Sequence, residues 1–171
     1  MIHNYSMVLV FFLFVASSHA IPPQQVNDIC KQTKNPTFCA SLLNSKTNAD
    51  LADLTQYTIE TALANVTNTI NLINSLIAKS GNNGNLASHY KSCFGNFRKA
   101  LEDVDFSMVL FEREDYQGVG AAMSRVETDA DDCVSGKSPS DYNDPSLLPQ
   151  YCAVVESVAS ITIILSKSLS S

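Results

Sequence analysis

The side chains that could carry chemistry in this chain are few, and their spacing narrows them further. Of three histidines, His3 and His19 fall in an N-terminal apolar segment, which leaves His89. One histidine cannot build a multi-histidine metal site, and a Ser–His–Asp triad would need His89 itself as its base. His89 lies in the first turn of a helical stretch, beside Tyr90, where a surface or capping role is expected. The five cysteines, Cys30, Cys39, Cys93, Cys133 and Cys152, contain no CxxC pair, so zinc ribbons and thioredoxin-type redox motifs are excluded. Gly118-Val119-Gly120-Ala121-Ala122-Met123 is one residue short of a GxGxxG fingerprint. No strand precedes it, and the surrounding acidic residues would repel a pyrophosphate. Asp129-Ala130-Asp131 opens like an EF-hand loop, but Val134 and Ser140 stand where the turn glycine and the bidentate glutamate belong. No catalytic constellation, metal site or cofactor site can be assembled, and the expectation is a protein that is not an enzyme.

What remains is charge. The 171 residues carry 11 Lys and Arg against 17 Asp and Glu, a net charge of -6, which argues against nucleic acid as a partner. Between Glu102 and Asp132 lie ten acidic residues and two basic ones, Arg113 and Arg125. Such a window is either a solvated helix face or an anionic patch suited to a cationic cleft. Residues 1–20 read as a signal peptide: Met7 to Ala16 is an unbroken apolar run, and Ser18-His19-Ala20 places small residues at the two positions a signal peptidase inspects. No other stretch approaches eighteen apolar residues, so the mature chain is expected to be soluble, secreted and free of the membrane. Secretion makes the cysteines oxidisable. Asn65-Val66-Thr67 is the glycosylation candidate of the mature chain.

These residues must be positioned by helices. Ile59, Ala62, Val66, Ile70, Ile73 and Ile77 recur in threes and fours, the spacing of one helical face. The stripe stops before Gly81-Asn82-Asn83-Gly84 and restarts from Leu86 through Tyr90, Cys93, Phe97, Leu101, Val104 and Met108 to Phe111. After the charged break at Glu112 to Asp115, a third stripe runs Tyr116, Val119, Met123, Val126 and Ala130. Residues 134–145 look like a loop, with Asp144-Pro145 as N-cap and first helical residue of a last stripe, Leu147, Tyr151, Val154, Val158, Ile161, Leu165 and Leu169. The expected fold is all-α: an N-terminal helical hairpin over residues 21–46 and an antiparallel up-down four-helix bundle over 47–171. Cys93 and Cys133 average to position 113, in the charged break, so folding back there sets them opposite one another. Cys30 and Cys39 flank the turn Lys34-Asn35-Pro36. Geometry thus favours bridges 30–39 and 93–133, leaving Cys152 as a free thiol, expected to be partly buried and inert.

The motif Val26-x-x-Ile29-Cys30-x-x-Thr33-x-Asn35-Pro36-x-x-Cys39-x-x-x-Leu43, continued by Leu86-x-x-x-Tyr90-x-x-Cys93 and Asp115-Tyr116, resembles the plant invertase/pectin methylesterase inhibitors over essentially the whole mature chain. The resemblance implies a non-catalytic, secreted bundle that occludes a carbohydrate-active enzyme in the plant cell wall or apoplast, with the vacuole as a second location. Invertase inhibitors of this family carry Pro-Lys-Phe after an aspartate; here Asp115 is followed by Tyr116-Gln117-Gly118, which is similar to the pectin methylesterase side. Methylesterase inhibitors typically carry Ser-Ala-Ala and a Thr before the terminal cysteine, where this chain has Ser124-Arg125-Val126 and Asp132. The expected partner is pectin methylesterase, met by a face on the second and third bundle helices that includes Glu102, Asp115, Thr128 and Asp132. Invertase is the alternative target, and a non-inhibitory binding or storage bundle the alternative class. The chain is expected to act as a monomer or weak dimer, without cofactor.

Overall fold

The computed structural model describes residues 20–81, 83–135 and 144–171; the signal-peptide reading falls on residues outside these, as does most of the 134–145 loop. Among the described residues there are six helices: α1 (Pro23–Cys30), α2 (Pro36–Asn44), α3 (Leu51–Lys79), α4 (Gly84–Glu112), α5 (Tyr116–Val134) and α6 (Leu148–Leu169).

Local chemistry sets where they begin. Asn35 caps α2, its side chain accepting from Phe38 N–H at 3.1 Å, with Pro36 at the position where a missing N–H costs nothing. Asp50 and Asp53 form a reciprocal capping box on α3, at 2.8 and 3.1 Å. Asn83 and Asp115 cap α4 and α5 by accepting from Leu86 N–H and Gly118 N–H. Between α2 and α3 the chain turns through Asn48 (φ 62°), and between α4 and α5 through Glu114 (φ 58°).

The amphipathic faces of α3 to α6 then close on one another. α3 packs on α4, α4 on α5, α5 on α6, and α6 returns to α3, completing an up-down-up-down ring. Its core includes Ile59, Val66, Ile73, Phe97, Val104, Met123, Val126 and Val155, all at most 1% exposed. Cys93–Cys133 staples α4 to α5 inside it, 40 residues apart in sequence. Cys30–Cys39 closes the α1–α2 hairpin, which packs back on its own bundle: Val26, Ile29 and Leu43 meet Leu54, Ile161 and Leu165.

α6 departs from its expected boundaries. It begins at Leu148 with Pro149 in its first turn, so Asp144-Pro145 is not its start. Asp144 instead spends its carboxylate on Tyr90, whose hydroxyl donates to Oδ1 at 3.1 Å, and on Ser146 N–H at 2.9 Å; Ser146 Oγ in turn accepts from Leu148 N–H. The first turns of the core stripe move with the start: Leu147 and Tyr151 are exposed, while Leu148, Cys152 and Val155 are buried; further along, Val158, Ile161 and Leu165 are buried as expected. α6 is the described helix long and apolar enough by length and composition to cross a membrane. Here those residues are shared between α3, α5 and the hairpin.

Candidate functional site

The two glycines of the near-fingerprint turn out to be packing devices. A Cβ on Gly118 would stand 2.5 Å from Asp115 Oδ2, so the glycine lets the cap close; one on Gly120 would stand 3.1 Å from Ser166 Oγ, so it lets α5 approach α6. Among the described residues no group of His, Cys, Asp or Glu could hold a metal ion. Cys152 is fully buried rather than partly so, because in the first turns of α6 it is Leu148 and Cys152, not Leu147 and Tyr151, that face the core. Burial, with Glu156 and Asp144 adding to it, pushes its thiol up to about 12, and a protonated buried thiol is a poor nucleophile. His89 is not a surface or capping residue. α4 starts at Gly84, which puts His89 a turn deeper, and its imidazole is 14% exposed with Nε2 3.6 Å from Asp144 Oδ2.

The outer side of α4 and α5 is different. Lys99, Glu102, Phe106 and Val109 follow one another at steps of three, four and three, a single helical face pointing away from the core. Phe106 is 48% and Val109 38% exposed, large apolar side chains left in water. Opposite them α5 presents Arg125, Thr128 and Asp129, and the two helices enclose a groove of roughly 420 Å³ lined by Lys99, Glu102, Asp103, Phe106, Arg125, Thr128 and Asp129. Arg125 lies across it: Nε and Nη2 donate to Asp103 Oδ1 at 2.8 and 2.5 Å, and Nη1 to Ala121 O at 3.3 Å. Asp103 holds the guanidinium pKa above its ordinary value. Asp129 is also raised, chiefly by burial, with Asp103 and Asp132 raising it further against Lys99 and Arg125.

The structure brings Glu102 and Thr128 together in this groove, and Asp132 lies one turn beyond Thr128, close enough to act on Asp129. Asp115 stands apart as the α5 cap, thirteen residues and about 20 Å of helix before Thr128. The acidic window is therefore not one patch. Glu127 and Asp131, a turn apart on another side of α5, face the hairpin and α6: Lys34 Nζ is 3.8 Å from Glu127, and Glu156 of α6 is raised from its ordinary value by burial, with Asp131 the next cause. Asn65 is half-buried in mid-α3, its amide donating to Thr61 O at 2.8 Å. Phe106 and Val109 escaped the sequence reading, although their signal was present: both fall off the Leu101/Val104/Met108/Phe111 stripe, where a large apolar residue has no core to enter.

A disulfide-stapled helical bundle with a mixed apolar and acidic groove on its outer side presents a surface suited to contact with another protein. The family is shown by sequence: residues 24–163 match the family model for plant invertase/pectin methylesterase inhibitor, and the chain belongs to that family of inhibitors. It is 26% identical over 74% of its length to pectinesterase inhibitor 1 of Arabidopsis thaliana, covering 72% of that protein. It is 27% identical to pectinesterase inhibitor 2 of the same plant, over 86% of this chain and 88% of that one. The pectinesterase inhibitor of Actinidia deliciosa is 26% identical over 84% and 78% of the two lengths. The fold matches the crystal structure of a mutant form of a pectin methylesterase inhibitor from Arabidopsis with a TM-score of 0.75, at 24% identity over 84% of this chain and 95% of that one.

Proposed function

We propose that this protein is a secreted inhibitor of pectin methylesterase that lays its α4/α5 face over the enzyme's substrate cleft. The observation that carries the reading is the outward stripe of α4, where exposed Phe106 stands among Glu102, Asp103 and Asp129, with exposed Val109 a turn further along the helix. An apolar centre with a charged rim is the anatomy of a protein interface. The relatives named above as pectinesterase inhibitors support the choice of target. So does charge: an enzyme that handles an acidic polysaccharide needs a cationic cleft, and the acidic rim complements one. On this reading Phe106 is the anchor, Glu102, Thr128 and Asp132 line the contact, and Asp115 fixes the start of α5 at its edge. The hairpin folded on its own bundle favours a monomer as the acting form, and the cell wall, where pectin lies, is the site of action.

The test is a titration of pectin methylesterase with the refolded, disulfide-intact chain at mildly acidic pH. The expected result is stoichiometric, reversible loss of pectin de-esterification, weakened by salt and weakened at least tenfold by Phe106→Ala, as for an interface anchor. Sucrose cleavage by invertase, assayed in parallel, stays unaffected; inhibition of invertase alone would overturn the target.

A further inference from the structure

The docking reading leaves open what lets this face choose among target enzymes, and Arg125 bears on that choice. An arginine has five N–H donors in a fixed plane. Three of Arg125's are engaged within the protein, two on Asp103 Oδ1 and one on Ala121 O. Two remain, on a guanidinium whose side chain is 53% exposed. The group is thus held in place before any partner arrives, so its rotamer freedom is already lost and docking need not remove it.

Its surroundings say what it can receive. Glu102, Asp103 and Asp129 share the groove and Asp132 lies beside Asp129, against the two cations Lys99 and Arg125. A carboxylate brought in by a partner would meet four others nearby, and a cation would meet the guanidinium itself. An uncharged oxygen accepts from the two free N–H groups without either penalty.

We propose that Arg125, clasped by Asp103, is the specificity-determining residue of the α4/α5 face, selecting targets that place a neutral carbonyl oxygen opposite it. This rests on the reading that the face docks on pectin methylesterase. Enzymes with a lysine or an acidic side chain at that point are disfavoured, so the clasp acts by rejection as well as attraction.

The experiment measures affinities of the full disulfide-intact chain for a panel of pectin methylesterase isoforms, with R125A, R125K, D103A and the double variant D103A/R125A, at several salt concentrations. R125A weakens the tightest isoform about tenfold, the size of one lost charge-assisted hydrogen bond, and narrows the spread between isoforms. R125K does not restore it, because an ammonium lacks the planar fork. D103A, which removes the accepting oxygen, follows R125A although the arginine remains, and the double variant is no worse than either alone. These residues are on the surface, so thermal midpoints near that of the unmodified chain accompany the effect. Wild-type affinity of R125A for every isoform overturns the clasp and leaves the docking reading standing, as does an equal loss on all isoforms. A loss that grows as salt is lowered identifies a carboxylate opposite Arg125 and overturns the neutral acceptor. An unmodified chain that retains no isoform overturns the docking reading and the clasp together.

Discussion

α5 presents two faces with opposite demands. Toward α4, α6 and the core it buries Val119, Ala122, Met123, Val126, Ala130 and Cys133, none more than 2% exposed, with Gly120 against Ser166. Toward solvent it carries Arg125, Thr128, Asp129 and Asp132, held by the ion pair of Arg125 with Asp103 and by hydrogen bonds from Arg125 and Thr128 to carbonyls of their own helix. The buried face is fixed by close packing, where one methylene is felt. The outward face is constrained only by what docks on it. Such a face can carry a side chain the core could not, as Arg125 shows: a long charged group held by hydrogen bonds to Asp103.

The sharpest way to break this separation is a large change on the buried face. Met123→Ala removes a fully buried side chain and is expected to cost about 2–5 kcal/mol of stability, read from urea unfolding. Inhibition per folded molecule should stay at the wild-type value. If it falls as far as in Phe106→Ala, the two faces are coupled and the division is wrong.

The reverse experiment is smaller in stability and larger in binding. Glu102→Lys combined with Asp132→Lys changes two exposed carboxylates, and surface changes of this kind shift stability by about 0.5 kcal/mol or less each. Affinity for pectin methylesterase should drop, and added salt, which weakens the unmodified complex, should strengthen the doubly reversed one. Salt dependence of unchanged sign would show that the rim charges do not face the enzyme.

The two faces were not equally legible from sequence. The buried one announces itself by period: Val119, Met123, Val126 and Ala130 are spaced by the helix, and Cys93 and Cys133 lie symmetrically about the turn that brings them together. In α6 the same method holds for Val158, Ile161 and Leu165 but misses the first turns, because that helix is apolar on most sides and the period no longer picks one face; only tertiary packing placed Leu148 and Cys152 inside and Leu147 and Tyr151 out. Asp144 was misplaced because a cap and a long-range partner use the same carboxylate, and Tyr90 is 54 residues away. On the outward face, counting charges merged Glu127 and Asp131 with Asp129 and Asp132, although the helical angle sends them to different sides. The Arg125–Asp103 clasp, across 22 residues and two helices, has no local signature at all.

The smallest expected effect separates the faces by pH. Asp129 on the groove side and Glu156 at the hairpin seam both have pKa values raised from their ordinary values, in each case first by burial. A carboxyl whose folded value exceeds its unfolded one holds its proton more tightly in the native state. Its contribution to stability is greatest below the unfolded value and is lost as pH rises through the folded one. Both seams should therefore tighten on mild acidification. Near neutral pH both groups are ionised against that burial cost, and Asp129→Asn and Glu156→Gln each remove it, so each variant should gain thermal midpoint relative to the unmodified chain, and the gain should vanish as the carboxyl protonates. The groove variant alone should also change the pH dependence of inhibition, because only Asp129 lies beside Glu102, Arg125 and Thr128. An equal change from Glu156→Gln would mean that the hairpin seam reports to the docking face, and α5 would then couple its sides rather than separate them.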